Sequence, residues 1–413
     1  PAWPVRGGTV ASWPMARMHE CDECMLAWPV VARAASHCRR APERRPRCVR
    51  LGCCDPMMVG PHLRAAAPAR LRPALLLARP LSGFAAPRFF DYPTITAHMH
   101  VRDAIPSVEA AFGALAQGKV DVPFPMHISI HETATAGPGD CHIKGGYIEG
   151  EPTFTVKVAT VSFYKNLEQG LPPGGGVFCV MDAVNGQVKA VMQENRFLTD
   201  LRTGAAGGIA VKHLSPAHAT KIGFIGAGKV ARVVAQAVAE LRPGIEGFAF
   251  ANDLCEEFCA DMAEELGTSF TVCSSAEELC AKSDVIVTST PGGATVLERA
   301  WLKPGTTIIA LGSDQPTKQE IPVDVLAASK YVCDLVKQVS KIGELRSALA
   351  AGAMSETDVY AELGEIVNGS KPGRTGDELI VCDLTGASPS LPPCLSASLP
   401  PCLPASLPPC LPA

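Results

Sequence analysis

Three charged side chains occur where a structural role alone explains them poorly. Asp314 follows the apolar, β-branched run TTIIALGS (306–313), so its carboxylate lies where a buried strand would end. Lys157 lies inside the apolar run FTVKVAT, and because a buried unpaired lysine is costly, a partner or ligand is expected for it. Arg202, in DLRTGAA, offers a planar fork that suits a carboxylate. The alternatives are a loop carboxylate facing water and an ordinary arginine on a helix surface.

A glycine-rich turn is a second candidate site. GFIGAGKVA places Gly226, Gly228 and Ala231 in the G-x-G-x-x-G/A spacing, after an apolar strand and before the amphipathic helix predicted over 229–241. The first glycine permits a tight turn, the second lets the backbone approach a pyrophosphate, and the helix start offers free N–H groups. The motif therefore predicts dinucleotide binding by this turn, which also contains Ala227, Lys229 and Val230.

The nature of the dinucleotide depends on the end of the next strand, GFAFAND (247–253). Asp253 lies 27 residues after Gly226 and can accept hydrogen bonds from the adenosine ribose. Its charge would repel a 2′-phosphate, and no arginine follows closely, which favours NAD over NADP. Alternatively, Asp253 only caps the following helix, and NADP is then possible.

The second half of the chain alternates apolar strands with helices. This pattern predicts a parallel sheet covered on both faces, an α/β arrangement of the Rossmann type. Ligands bind outside the carboxyl ends of the strands in such sheets, which is where Asp314 lies. VTSTP (287–291) ends the neighbouring strand, so Thr288 or Ser289 is expected to contact the cofactor.

The first half of the chain has a different pattern. FTVKVATVSF (154–163) and GVFCVMDAVNGQVKAVMQ (176–193) predict antiparallel strands, the latter a hairpin that turns at Asn185-Gly186. LTDLRTGAAGGIAVKHL (198–214) predicts a helix that connects the two halves. We therefore expect an α+β domain over 89–212 with 336–386, and a Rossmann-type NAD(P)-binding domain over 213–335.

The two ends of the chain differ in composition from the rest. Residues 1–88 contain 14 Arg, no Lys and five acidic residues. Residues 57–88 predict a transit peptide for the mitochondrial or plastid matrix, whereas an arbitrary translated leader is preferred for 1–56. If residues 57–88 are not a transit peptide, a cytoplasmic protein is expected. Residues 387–413 repeat Ser-Leu-Pro-Pro-Cys-Leu, which predicts a disordered tail.

Charge and cysteine spacing exclude several function classes. The chain has 37 Lys and Arg against 41 Asp and Glu, and because its start is rich in Arg, the remaining body is acidic. An acidic body argues against a nucleic-acid partner. No apolar run approaches the roughly 18 residues of a membrane helix, so a soluble body without a membrane partner is expected. The Cys residues of the body lack metal-ligand spacing, which predicts no metal and a reduced, intracellular protein.

Several segments, taken in order, resemble the ornithine cyclodeaminase/μ-crystallin family. The resemblance rests on FTVKVAT, GLPP, LTDLRTGAAGGIAVKHL, GFIGAGKVA and ALGSDQPTKQEI, and extends from about Phe90 to Gly386. It implies a substrate-binding and dimerisation domain beside the NAD(P) domain, and hence a homodimer. It further implies that Lys157 and Arg202 bind the substrate carboxylate and that Asp314 is the acid/base group. The other residues implied at the cofactor are Thr203, Ser289, Ser313 and Lys318.

The resemblance also implies an activity. In cyclodeaminases of this family, bound NAD+ takes a hydride from ornithine, the imine cyclises with loss of ammonia, and the hydride returns to give proline. The implied function is thus an NAD-dependent ammonia-lyase acting on a small amino acid. Alternatives within the family are an alanine dehydrogenase or ketimine/imine reductase, and a non-catalytic binding protein like μ-crystallin. Lys144 replaces a Glu found in many bacterial cyclodeaminases and would repel the ornithine side-chain amine.

Overall fold

The structure is a computed structural model, and it describes residues 86–133, 137–251, 254–291 and 293–386. The predicted leader lies outside these residues apart from 86–88, and the Pro/Cys tail lies outside them entirely. Within the described ranges, every helix is too short or too polar to cross a bilayer.

The first half of the described chain forms a seven-stranded mixed sheet. Its strands are β1 (Arg88–Phe90), β2 (Val120–Asp121), β3 (Met126–Ile130), β4 (Gly139–Ile148), β5 (Thr153–Val161), β6 (Gly175–Asp182) and β7 (Val188–Gln193). Their order is β1-β7-β6-β5-β4-β2, with β3 also paired to β4. The β1–β7 pair is parallel and the other pairs are antiparallel. The predicted antiparallel strands and the β6–β7 hairpin are therefore confirmed.

Three helices pack with this sheet, α1 (Tyr92–His98), α2 (Val101–Ala116) and α3 (Phe197–Leu214). The predicted connecting helix is α3, which contributes to the same buried cluster as the apolar side chains of the second half. Its small residues explain the close packing. A Cβ at Gly204 would lie 2.4 Å from Cγ1 of Val233, so the following helix can approach only a glycine at this point.

The second half forms a parallel eight-stranded sheet. Its strands are β8 (Lys221–Ile225), β9 (Glu246–Phe250), β10 (Phe270–Val272), β11 (Val285–Thr288), β12 (Thr307–Ala310), β13 (Lys330–Cys333), β14 (Ala361–Glu362) and β15 (Ile380–Asp383). The order is β10-β9-β8-β11-β12-β15-β13-β14. Because the strand order changes direction between β8 and β11, their carboxyl ends form the crevice in which such sheets bind ligands. The Rossmann-type fold is thus confirmed.

Helices and apolar side chains cover both faces of this parallel sheet. The helices are α4 (Lys229–Leu241), α5 (Cys255–Leu266), α6 (Ala276–Lys282), α7 (Val323–Ala327), α8 (Val336–Ile342), α9 (Leu345–Ala350) and α10 (Leu363–Val367). Short 3-10 helices occur at Tyr164–Gln169, Arg299–Trp301 and Glu356–Asp358. Successive residues of β11 alternate between two buried clusters: Val285 and Val287 belong to one, and Ile286 to the other. This alternation explains why the strands are apolar throughout.

The predicted domain boundary at residue 336 is wrong for part of the last segment. Strand β15 lies between β12 and β13 in the parallel sheet, and β14 forms its edge. All four residues of β15 are buried, so its apolar side chains belong to the core of the second sheet. Helix α10 of this segment packs towards the first half, where Nδ2 of Asn368 donates to the backbone oxygen of Gly113 in α2 at 2.8 Å.

Candidate active site

A cavity of about 910 Å³ opens at the carboxyl edge of the parallel sheet. Its walls come from β4, β5 and α3, and from the loops that follow β8, β9, β11 and β12. Ten of the residues singled out in the sequence line it: Lys157, Arg202, Thr203, Gly226, Ala227, Gly228, Val230, Ser289, Asp314 and Lys318. The fold therefore brings the cation-bearing strand, the glycine turn and the strand-end carboxylate to one place.

Three other predicted cofactor residues do not line this cavity. Lys229 has an exposed side chain at the start of α4. Thr288 is fully buried, and its hydroxyl donates to Oε2 of Glu320 at 2.7 Å. Ser313 is also buried, and its hydroxyl donates to the backbone oxygen of Lys318 at 2.9 Å. Thr288 and Ser313 thus hold the strand-end loops in place instead of reaching the cavity, and Asp253 lies outside the described residues.

The turn after β8 has the properties that a pyrophosphate requires. Gly226 has a φ of 101°, and a Cβ there would lie 2.8 Å from the backbone oxygen of Ser289, so only glycine fits. Gly228 is the N-cap of α4, its Cβ direction is open, and no side chain caps the helix. The hydroxyl of Ser289 is buried without a hydrogen-bond partner among the described residues. Free N–H groups, an open approach and an unsatisfied hydroxyl fit a dinucleotide phosphate.

Lys157 is held by a short polar chain at the start of α3. Its Nζ donates to the hydroxyl of Thr199 at 3.3 Å, and that hydroxyl donates to Oε1 of Glu194 at 3.0 Å. The backbone N–H of Thr199 donates to Oε2 of the same carboxylate at 3.1 Å. Burial lowers the pKa of Lys157 well below its ordinary value, and the charges of Arg202 and Lys144 lower it further. The amine is therefore held in position, while its burial and the neighbouring cations disfavour its charged form.

Lys144, on β4, lies directly opposite Lys157 in the strand register. Its Nζ donates to the backbone oxygen of Thr385 at 3.3 Å. Burial lowers the pKa of Lys144 to about 8; Arg202 adds to this effect, while Asp314 opposes it. The side chain lines the same cavity, so a second lysine accompanies the predicted one.

Arg202 completes this group of cations from α3. A Cβ at Gly386 would lie 2.9 Å from Nη1 of Arg202 and 3.3 Å from Nζ of Lys144, so both cations approach the same point of the chain after β15. Burial lowers the pKa of Arg202, although the attraction of Asp334 and Asp314 opposes the shift. Because a guanidinium titrates far above neutral pH, Arg202 stays charged. We call Lys144, Lys157 and Arg202 the cation wall.

Asp314 lies in the loop after β12, beside the cation wall. Nζ of Lys318 donates to Oδ1 of Asp314 at 2.8 Å. Burial by itself would raise the pKa of Asp314, but the charges of Lys318 and Lys144 and the hydrogen bond from Lys318 outweigh it, so the pKa lies below its ordinary value. Asp314 is therefore an anion at neutral pH with one oxygen engaged by Lys318.

A buried carboxylate holds this loop, and sequence reasoning missed it. Glu320 is fully buried and accepts from the backbone N–H of Gly312 at 2.8 Å and from the hydroxyl of Thr288. Its other oxygen accepts from the N–H and the hydroxyl of Thr290, at 2.6 and 2.7 Å. Glu320 thus joins the loop after β11, which faces the cofactor turn, to the loop that contains Asp314.

His142 and Lys144 are further residues of the cavity that the sequence did not predict as site residues. Nε2 of His142 lies 3.3 Å from Nε2 of Gln315, and burial lowers the pKa of His142 to about 4, so the ring is neutral at pH 7. A signal for Lys144 was present. Gly150 lies midway between the segment 142–148 and the apolar run FTVKVAT. A hairpin that turns at Gly150 places residue 144 opposite residue 157.

The arrangement combines a site for an anion with a group that can accept a proton. Arg202 and Lys157 suit the carboxylate of a small substrate, and Asp314 can exchange a proton with an amine bound beside it. The glycine turn lies in the same cavity and can place a dinucleotide next to both. Within the described ranges, no cluster of His, Cys, Asp and Glu has the geometry of a metal site.

Comparison with known proteins identifies the family. The model of the ornithine cyclodeaminase/mu-crystallin family matches residues 89–388, so the chain belongs to this family and the resemblance seen in the motifs is confirmed. A Rhizobium meliloti protein that is provisionally described as a dehydrogenase is 36% identical over 288 residues, which cover 69% of this chain and 86% of that protein.

Solved structures agree in fold. The Δ1-pyrroline-2-carboxylate reductase of Thermococcus litoralis, solved with NADH and L-proline, has a TM-score of 0.67 at 29% identity and covers 72% of this chain and 92% of its own. An archaeal alanine dehydrogenase dimer with bound NAD has a TM-score of 0.66 at 30% identity and covers 73% of this chain and 91% of its own.

Proposed function

We propose that the protein is an NAD-dependent oxidoreductase that interconverts a small amino acid and its 2-imino acid. The observation that supports this most directly is the cation wall in one cavity with Asp314 and the glycine turn. The cofactor is NAD, because the turn at Gly226 fits a dinucleotide and the similar structures contain NAD or NADH. When bound, NAD accepts a hydride from the amino-acid Cα or returns it to the imine carbon.

Lys157 and Arg202 bind the substrate carboxylate in this proposal. Arg202 can make two parallel hydrogen bonds to the carboxylate, and Lys157 adds a second charge from a rigid strand. The chain from Lys157 through Thr199 to Glu194 holds the ammonium in one direction. Their charges offset the cost of removing the carboxylate from water and hold the substrate in one orientation for hydride transfer.

Asp314 moves the proton. Since Lys318 engages Oδ1, Oδ2 is the oxygen that can take a proton from a substrate ammonium before oxidation. In the reverse direction, the protonated carboxyl group returns this proton to the nitrogen as the imine is reduced. General acid–base groups of this kind contribute about 10²- to 10⁴-fold to a rate.

The geometry gives less support to the ornithine cyclodeaminase reaction predicted from the sequence. Ornithine has a second ammonium group on its side chain, and the cation wall would repel it because Lys144 stands beside Lys157. A non-catalytic ligand-binding role is also less well supported, because binding alone does not require the Asp314–Lys318 pair.

We further propose that two copies of the chain form a homodimer. Large apolar side chains are exposed on and beside β3, with Phe124 51%, Met126 57% and Ile128 47% exposed. Exposed apolar side chains grouped in this way mark interaction surfaces. The similar alanine dehydrogenase is a dimer. Sedimentation of the wild-type protein should give twice the chain mass, and Ile128→Asp should shift it towards the monomer.

Substrate oxidation tests the proposed function. The purified protein is incubated with NAD+ and, in separate reactions, alanine, proline, aspartate and ornithine, while NADH is followed by absorbance and ammonia and proline are assayed. Net NADH formation with alanine, proline or aspartate is expected. Conversion of ornithine to proline and ammonia without net NADH would instead support the cyclodeaminase reaction and refute the proposal.

A further inference from the structure

We propose that Lys144 is a specificity-determining residue that selects substrates with a second carboxylate on the side chain. The substrate class would then be a dicarboxylic amino acid and its imine. This inference rests on the proposed function, because it assigns the substrate of the same cavity.

The number of cations in the cavity supports this inference. One carboxylate needs only a bidentate arginine and one further charge, and Arg202 and Lys157 supply both. Lys144 lies directly opposite Lys157 on the neighbouring strand, and like charges in directly opposite positions destabilise a sheet. A third cation is therefore in excess of what a monocarboxylate requires.

The contacts of Lys144 leave it available to a ligand. An ammonium group has three donors, and within the described ranges the hydrogen bond of Nζ goes to the backbone oxygen of Thr385, a neutral acceptor. The carboxylate of Asp314 is engaged by Lys318 at 2.8 Å. That of Asp334 accepts from the N–H of Gly386 at 2.8 Å and from the hydroxyl of Thr385. Each of these acids thus accepts a hydrogen bond from a group other than Lys144, although both attract its charge.

The position of Lys144 decides which part of a substrate it would contact. Arg202 and Lys144 approach Gly386 together, whereas Lys157 is tied to Thr199 and Glu194. A substrate whose first carboxylate lies between Arg202 and Lys157 would have its side chain within reach of Lys144, which lies across from Lys157 and lines the same cavity. An apolar side chain would leave Lys144 unpaired and a cationic one would be repelled, so a carboxylate is the group that fits.

Reductive amination tests this inference. Oxaloacetate or pyruvate condenses with ammonia and loses water, which gives the imines of the dicarboxylic and monocarboxylic acids. NADH then gives a hydride to the imine carbon, the nitrogen takes a proton, and NAD+ and the amino acid are released. In the wild-type enzyme, kcat/KM is expected to be at least about tenfold higher with oxaloacetate than with pyruvate.

Lys144→Met should remove this preference. The substitution keeps most of the side-chain length, so kcat/KM with oxaloacetate should fall by about 10- to 100-fold, at least about tenfold more than the value with pyruvate. Lys144→Gln is measured in parallel in case the methionine variant does not fold. Lys189→Met is the matched control, because Lys189 is on the same sheet, half exposed and paired with Asp182. Equal losses with both substrates, or a wild-type preference for pyruvate, would overturn the inference.

A binding measurement separates this inference from the proposed function. Succinate and propionate are titrated calorimetrically into the enzyme with NAD+. Succinate should bind at least about tenfold more tightly to the wild type, and this difference should disappear in Lys144→Met. If succinate is preferred but neither imine is reduced, the proposed function fails and the role of Lys144 stands. If both imines are reduced and succinate is not preferred, the role of Lys144 fails alone.

Discussion

The two sheets contribute to the cavity in different ways. The mixed sheet presents Lys144 and Lys157 from the middle of β4 and β5, where strand pairing on both sides fixes the backbone. The parallel sheet presents strand ends, whose loops contain the glycine turn and Asp314. One sheet thus supplies charges in fixed positions, and the other supplies backbone donors and a carboxylate that can exchange a proton. This difference predicts that changes in the mixed sheet alter substrate binding, whereas changes at the parallel edge alter turnover.

The largest effect is expected for Asp314→Asn. The amide cannot accept the substrate proton, so kcat should fall by about 10²- to 10⁴-fold. The dissociation constant for NADH, measured by fluorescence, should change less than about threefold because the glycine turn is intact. Asp324→Asn, an exposed carboxylate in α7, serves as the control. Full activity of Asp314→Asn would show that the parallel edge does not supply the acid/base group.

Lys157→Met should affect binding and stability in opposite directions. Loss of one charge from the carboxylate site should raise KM by about 10- to 100-fold, with a smaller change in kcat. Removing a buried lysine that is repelled by Arg202 and Lys144 should also raise the free energy of unfolding, by about 0.5–2 kcal/mol. Steady-state kinetics and urea unfolding measure the two effects. A lower kcat at unchanged KM would contradict a binding role for the mixed sheet.

Glu320→Gln tests how the two strand-end loops are held. The carboxylate accepts from the N–H groups of Gly312 and Thr290 on different oxygens, so a glutamine must point its amide NH₂ at one of them. This donor–donor contact should lower the free energy of unfolding by about 1–3 kcal/mol, and kcat should fall more than KM rises. Glu298→Gln, at an exposed site, should leave both unchanged. Equal behaviour of the two variants would refute the positioning role of Glu320.

The smallest effect concerns pH. Since the pKa of Lys144 is lowered to about 8 from an ordinary 10.5, kcat/KM with oxaloacetate and ammonia should fall as the pH rises through about 8. Above this pH the unfolded chain binds more protons than the folded one, so the contribution of Lys144 to the free energy of unfolding increases between pH 8 and 10.5. The wild type is compared with Lys144→Met in pH–rate profiles and in unfolding at pH 7.5 and 10. Identical profiles would assign the pH dependence to another group.

Local sequence patterns predicted much of the architecture. Alternation of polar and apolar residues predicted β5 and the β6–β7 hairpin, and the 3.6-residue period predicted α3 and α4. Both predictions succeed because these patterns reflect which face of an element is buried. The sequence pattern did not show that β15 belongs to the parallel sheet, because its four buried residues resemble those of any short apolar strand. β15 pairs with β12 and β13, which are distant in the sequence. The periodicity of one segment holds no information about which distant segments it pairs with.

The candidate site divides in the same way. The sequence by itself determined the glycine turn, the buried lysine on β5 and the carboxylate after β12, because each depends on residue type within one element. Only the tertiary structure decided that Arg202 joins Lys144 and Lys157, and that Thr288 and Ser313 face away from the cavity. These outcomes depend on strand register and on the direction of side chains at the strand ends, which are set by packing between elements.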